Sequence, residues 1–162
     1  MRPPIALLAT CISVASLTAP AQAANRASKI LTADIAQSAL GQAVEPADAN
    51  KNDDTQTGAV WVSNADYQAK PTKPPFRSVH LLIRHASTAE EAKSTFERSK
   101  ATYKGVAVPG MGDSCYRTKM PPQLNVLKGL NWLIISCGTF KNPEPAGEEK
   151  IARAVLSKLP NN

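Results

Sequence analysis

The sequence predicts an α+β fold, with an antiparallel sheet of about five strands and helices packed mainly on one face of the sheet. Two observations predict it. Segments with apolar residues at three- and four-residue spacing are interspersed with segments of two-residue alternation, in the order αββαβββα. Short turns rich in glycine and proline separate the strands of the last third, as in an antiparallel meander. The length of the segment 31–160 fits a single domain.

The N-terminus has the organisation of a signal peptide over residues 1–23. Arg2 supplies a positive charge, residues 5–17 form an uncharged apolar run, and residues 21–23 read Ala-Gln-Ala, a typical cleavage site. The run is too short to span a bilayer, and Thr10 stands where a lipid-modified Cys11 would need a smaller residue before it. We therefore expect cleavage after Ala23, a periplasmic or secreted location, and no transmembrane span in the mature chain.

Export bears on both charge and cysteine chemistry. The leader contains one of the 19 basic residues and none of the 13 acidic ones, so the formal net charge changes from +6 to +5. The remaining basic residues are spread along the chain, which argues for solubility more than for one kind of partner. Cys115 and Cys137 are left as an even pair in an oxidising compartment, and the sequence predicts a disulfide between them.

A polar lead over residues 24–30 precedes the first predicted helix, 33–40. Thr32 is a suitable N-cap for this helix, and Gly41 can take the left-handed conformation that ends it. A polar loop is predicted next, over residues 45–58.

Two strands follow this loop, and a helix follows the strands. The strands, 59–64 and 77–85, show the alternation of apolar residues expected of a sheet with one buried face. The second helix covers 89–103, where Thr88 and Glu91 form a capping box. The C-terminal third is predicted to hold three strands and a closing amphipathic helix, at 114–118, 124–127, 132–137 and 148–159.

A tight turn is predicted at residues 110–113, which read Gly-Met-Gly-Asp. Two glycines before a strand allow a sharp change of backbone direction, and Asp113 can accept hydrogen bonds from nearby backbone N–H groups. The segment lacks the lysine and the following helix of a phosphate-binding loop. No nucleotide partner is therefore predicted.

Residues 82–88 resemble the strand-end motif L-x-R-H-[GA]-x-[ST] of the histidine phosphatase superfamily. The resemblance implies that His85 would accept a phosphoryl group and that Arg84 would bind it. No histidine follows His85 to complete that machinery. The remaining histidine, His80, is five residues away, which in a strand places it on the opposite face. We therefore predict no catalytic site, no metal site and no cofactor.

A second resemblance extends over most of the mature chain. Residues 109–116, 124–129 and 132–135 resemble small secreted or lipoprotein-type bacterial domains of unknown function, which carry the pattern G-x-G-D-x-[AC]-[YW], then L-x-V-x-K-G and a hydrophobic strand. Residues 31–35 and 40–41 resemble the first helix of these domains. The resemblance implies an extracytoplasmic α+β binding or accessory domain, and it names no ligand.

The sequence thus favours a non-enzymatic exported domain that binds a partner protein or a component of the cell envelope. Two alternatives stay open. One is a phosphatase-like enzyme that uses His85 and Arg84. The other is a basic module that binds an anionic polymer through Arg117, Lys119 and Lys128 of the meander.

Overall fold

A computed structural model describes residues 26–47, 55–57, 60–70 and 74–159. The predicted signal peptide lies outside these residues. Four helices are described: α1, Ala27–Ile30; α2, Ala33–Leu40; α3, Ala89–Thr102; and α4, Pro145–Leu156. Eight strands are described: β1, Val44–Pro46; β2, Thr55–Thr57; β3, Val60–Ala69; β4, Ser78–His85; β5, Val106–Ala107; β6, Ser114–Lys119; β7, Pro122–Lys128; and β8, Asn131–Gly138.

All strand pairings in this sheet are antiparallel. Seven strands lie in the order β1-β3-β4-β8-β7-β6-β5, and β2 also pairs with β3. The last strand of the predicted meander, β8, is therefore central, with β7 on one side and β4 on the other. This arrangement brings the N-terminal strand pair into the same sheet as the C-terminal meander.

The sheet has helices on both faces, in unequal number. On one face, here called the closed face, α1, α2 and α4 pack over the sheet and enclose the main core. On the opposite face, α3 packs mainly over β7, β8 and Tyr116 of β6. The main core takes from the sheet mostly aliphatic side chains at alternate positions: Val79, Leu81, Ile83, Leu124, Val126, Leu133 and Ile135.

The α+β class and the antiparallel sheet are confirmed, but the expected count of five strands is wrong in detail. All five predicted strands are present, and three short ones are added. Two of these, β1 and β2, fall largely within the stretch 45–58 that was predicted as a loop. There β1 pairs with the C-terminal end of the ten-residue β3, and β2 pairs with its N-terminal end. The third, β5, is two residues long and forms the outer edge beside β6. The polar lead likewise contains α1, whose Ala27 and Ile30 are buried.

Local signals located the helix ends well. Gly41 ends α2 with φ of 69°, a left-handed conformation that favours glycine. At the start of α3, the Thr88 hydroxyl accepts a hydrogen bond from the backbone N–H of Glu91 at 3.1 Å. Thr32 occupies the N-cap position of α2, although its side chain makes no capping hydrogen bond. Helix α4 begins at Pro145, three residues earlier than predicted, because proline is well suited to the first helical position.

The predicted turn at residues 110–113 is also present. Gly110 and Gly112 both have positive φ, and a Cβ on Gly112 would collide with the backbone carbonyl of Leu127. The carboxylate of Asp113 accepts a hydrogen bond from the backbone N–H of Gly129 at 2.7 Å. The turn before β6 is thereby attached to the β7–β8 turn.

Candidate functional site

The face of the sheet opposite α1, α2 and α4 is the candidate for a site, because α3 is the only described helix that packs on it and leaves much of it uncovered. The strand register places on this open face the alternate side chains that point away from the main core. They are mostly polar and half-buried, and include Asn64, Asp66, Ser78, His80, Arg84, Gln123, Asn125 and Ser136.

Helix α3 is held on the open face by a cluster of aromatic rings. The Phe96 ring meets Tyr116 at a centroid distance of 4.7 Å and Trp132 at 6.0 Å, both edge to face. The Tyr116 hydroxyl donates a hydrogen bond to the Ser99 hydroxyl at 2.9 Å. Because a Cβ on Gly105 would collide with the Tyr116 ring, a glycine is required just after the helix. The position of α3 over the sheet is thereby well defined.

A groove runs beside α3 along the open face. It holds about 200 Å³. A second hollow of about 170 Å³ shares Pro121 and Gln123 with it and extends toward Ser78 and Phe140. The groove is lined by aromatic, hydroxyl and amide side chains, two aliphatic ones and one charged residue: Arg84, Ser99, Tyr103, Tyr116, Thr118, Pro121, Gln123, Asn125, Trp132 and Ile134.

Arg84 is the charged residue of this groove. It is paired in register with Trp132 on β8, and its guanidinium carbon lies 5.2 Å from the centroid of the indole ring. The indole in turn donates a hydrogen bond from Nε1 to Oδ1 of Asn125 at 3.0 Å. A buried amide therefore orients the ring on which the guanidinium rests.

The lack of a carboxylate partner distinguishes Arg84 from the other half-buried arginines in the described part of the chain. Arg77 makes two contacts of 2.7 and 2.8 Å with the carboxylate of Glu144. Arg117 contacts Glu148 and Glu149. Arg84 has no such carboxylate within the described ranges. Its five N–H donors are thus left for solvent or for a ligand.

The two histidines lie apart, as the strand parity predicts. His80 is on the open face, with Nδ1 2.5 Å from Oδ1 of Asp66 on the neighbouring strand. His85 is at the end of β4, with Nδ1 2.9 Å from Oδ1 of Asn131. Residues 26–47, 60–70 and 74–159 contain no group of three His, Cys, Asp or Glu side chains placed to hold a metal ion.

The predicted disulfide is wrong. Cys115 on β6 is opposite Val126 on β7, which is opposite Leu133 on β8. Cys137 is four residues further along β8, so about 13 Å of strand and one intervening strand separate the two cysteines. A disulfide requires Cα atoms within about 7 Å. Both thiols are free and buried.

The cysteines also lack the properties of a reactive pair. Burial raises the pKa of the Cys115 thiol to about 11 and that of Cys137 to about 12. Thiolate, the nucleophilic form, is therefore scarce at neutral pH. These residues fill the core between the sheet and the helices of the closed face.

The three basic residues predicted to bind a ligand do not form a cluster. Arg117 points toward α4, where it is paired with carboxylates. Lys119 lies opposite Pro122 at one end of the β6–β7 pair. Lys128 lies at the other end, six residues or about 20 Å along β7, and contacts Asp113 at 3.4 Å.

Sequence reasoning did not identify the groove residues Trp132 and Asn125. One signal was present, since Arg84, Trp132 and Asn125 all stand at positions that alternate with the apolar core residues of their strands. The order of the strands, which makes β8 the neighbour of both β4 and β7, was needed to bring the three together.

Comparison of the chain with protein-family models, with curated proteins and with solved structures finds no match. Among the described residues, no helix is long and apolar enough to cross a membrane.

Proposed function

We propose that this chain is an exported, non-enzymatic binding domain, and that its groove on the open face holds an anionic group of a cell-envelope component or partner protein. The proposal rests on one observation: the half-buried guanidinium of Arg84 lies in the groove and has no carboxylate partner among the described residues. Placing a cation in a partly dry groove is costly unless an anion or several acceptors compensate for the lost water.

The surroundings of Arg84 supply the other elements of a binding site. The Trp132 indole supports the guanidinium from one side and leaves its planar edge available for a carboxylate or phosphate oxygen pair. Gln123 and Thr118 add amide and hydroxyl groups to the same groove, and Tyr103, half-exposed at its rim, adds an aromatic contact surface. Groups of these kinds commonly fix the orientation of a polar ligand.

Binding is favoured over the phosphatase-like alternative by the direction of two neighbouring side chains. Arg84 and His85 are consecutive in β4, so they project from opposite faces of the sheet. A phosphoryl group held by Arg84 in the groove would be remote from the His85 ring, which contacts Asn131 at the strand end. The anionic-polymer alternative is disfavoured because Arg117, Lys119 and Lys128 are dispersed.

The test follows the indole N–H resonance of Trp132 and the Nε–H resonance of Arg84 by NMR while glucuronate, inorganic phosphate or neutral glucose is added. We expect the two anions to shift both resonances and glucose to leave them in place, because the guanidinium recognises charge. Arg84→Gln should abolish the shift at Trp132. The matched control, Arg98→Gln on the exposed side of α3, should leave the shift unchanged.

Two results would contradict the proposal. One is the absence of any anion-dependent shift at Trp132 in the unmodified protein. The other is a shift of equal size in Arg84→Gln. Hydrolysis of p-nitrophenyl phosphate that is lost in His85→Ala would favour the enzymatic alternative instead.

A further inference from the structure

One end of the sheet brings together three loops that are distant in sequence. Strand β4 begins at Ser78, which pairs with Gly138 at the end of β8. The β6–β7 hairpin turns at the same end, where Lys119 pairs with Pro122. We call this end the tip, formed by residues 74–77, 119–122 and 139–142.

The tip exposes large apolar side chains. Phe76 is 53% exposed, Met120 is 67% exposed and Phe140 is 64% exposed. They are three of the five large hydrophobic side chains exposed in the described part of the chain, and each comes from a different loop of the tip. A single exposed hydrophobic residue is ordinary, but three at one end of a sheet indicate an interaction surface.

The charges at the tip are positive. Lys119 directly precedes Met120, and Lys141 directly follows Phe140. Both lysines are exposed, and neither makes an ion pair with any residue that the structure describes. The nearby carboxylates are already neutralised, since Glu144 contacts Arg77 and Glu45 contacts Lys70 at 3.0 Å.

We propose that the tip docks on a lipid surface that carries anionic headgroups. Phe140 and Met120 would enter the boundary between headgroups and acyl chains, while Lys119 and Lys141 contact lipid phosphates. Neighbouring apolar and cationic side chains are what an anionic bilayer surface attracts.

The character of the lysines and the spacing of the apolar groups favour lipid over a protein partner. Lysine is a compact charge on a flexible stem, which suits headgroups that offer no fixed geometry. The apolar side chains stand on separate loops with lysines beside them, whereas a protein interface core is depleted in lysine. The proposal is independent of the groove, because it uses neither Arg84 nor Trp132.

The experiment places a fluorescent reporter at the tip of the full chain. Phe140→Trp is mixed with vesicles of phosphatidylcholine and phosphatidylglycerol, or of phosphatidylcholine alone. The native Trp61 and Trp132 are each 6% exposed, so they supply a constant background. Ala89→Trp is the matched control, because Ala89 is exposed at the start of α3, beyond the end of β4 that is opposite to the tip.

With anionic vesicles we expect a blue shift of the Phe140→Trp emission and its quenching by lipids brominated on the acyl chain. Ala89→Trp should show neither. The emission of the tryptophan at position 140 responds to insertion of the tip itself. Attachment of the chain through residues 5–17 alone would therefore produce neither the blue shift nor the quenching. Adding Lys119→Glu and Lys141→Glu to the reporter should weaken binding to anionic vesicles by about tenfold or more.

Three outcomes would overturn the proposal. The first is an unchanged emission of Phe140→Trp with anionic vesicles, and the second is an equal response in Ala89→Trp. The third is an equal response to both kinds of vesicle that persists when Lys119 and Lys141 are replaced by glutamate. Near-ultraviolet circular dichroism of each variant establishes that the fold is retained. Failure here would leave the groove proposal standing, since that test is made without lipid.

Discussion

Arg117 on β6 donates a hydrogen bond from Nε to Oε2 of Glu148, 3.1 Å away in the first turn of α4. The Glu148 side chain is 1% exposed, and burial raises the pKa of its carboxyl, with the contacts from Arg117 acting in the opposite direction. A second carboxylate, from Glu149, contacts Nη2 of the same guanidinium at 3.1 Å. This pairing ties the start of the last helix to the sheet, and it occupies the guanidinium that the sequence suggested for ligand binding.

Replacing Arg117 with methionine should destabilise the fold strongly, because it leaves a buried carboxylate without its cation. The expected loss in the free energy of unfolding is about 3 kcal/mol or more. The double variant Arg117→Met/Glu148→Leu should lose less than Arg117→Met alone, since no charge then stays buried. Urea denaturation of both variants measures this, and a double variant less stable than Arg117→Met would contradict it.

The two buried thiols should be inaccessible and unpaired in the folded protein. Ellman's reagent should react with Cys115 and Cys137 only after denaturation, and a reductant should leave the melting temperature unchanged. A lower melting temperature in reductant would instead indicate a disulfide. Where residues 1–23 are present, Cys11 adds one thiol to the total measured after denaturation.

The same thiols should weaken the fold at alkaline pH. In the folded chain the pKa of each thiol lies above the usual value near 9, so the contribution of the neutral thiol to the free energy of unfolding is fully present below pH 9. This contribution is lost as the pH rises through about 11 for Cys115 and about 12 for Cys137. Between pH 9 and pH 11 the ionisation of each thiol should lower the free energy of unfolding by about 3 kcal/mol. Chemical denaturation at a series of pH values should show a shallower alkaline decline in Cys115→Ala/Cys137→Ala, and an equal decline would refute the prediction.

Gly147 in α4 should resist substitution by alanine, although alanine usually favours a helix. A Cβ at this position would lie 2.5 Å from Sγ of Cys137, so the helix could not keep its distance from β8. Gly147→Ala should therefore lower the free energy of unfolding by about 1–3 kcal/mol. Cys137→Ala removes the obstructing sulfur, so Gly147→Ala should cost less in that background, and equal costs in both backgrounds would show that the contact is unimportant.

Local patterns predicted the bounds of helices α2 and α3 and the presence of the five longer strands. Gly41 at the end of α2 and Thr88 with Glu91 at the start of α3 act within one or two turns of the chain, so they are visible in sequence. The short edge strands were missed for the opposite reason. Residues 44–46 and 55–57 have no apolar alternation of their own and become strands only because β3 is long enough to pair with both.

The candidate site was predicted only in part. The strand parity correctly separated His80 from His85, and it contained the information that Arg84, Trp132 and Asn125 share a face. The sequence also suggested Arg117, Lys119 and Lys128 as ligand-binding residues. In the structure Arg117 and Lys128 contact carboxylates, and Lys119 lies far from Lys128. Basic residues are evident in any sequence, whereas the absence of a partner is a property of the folded surroundings.

By itself, the sequence determined the class of the fold, both ends of α2, the start of α3, the turn at residues 110–113 and the buried face of β4. These follow from backbone preferences and from hydrophobic periodicity, which act over a few residues. Only the tertiary structure decided that β8 lies between β4 and β7, that Cys115 and Cys137 are kept apart by a strand, and that Arg84 rests on Trp132 in an open groove. These relationships depend on contacts between distant segments, whose pairing is selected by the packing of the whole core.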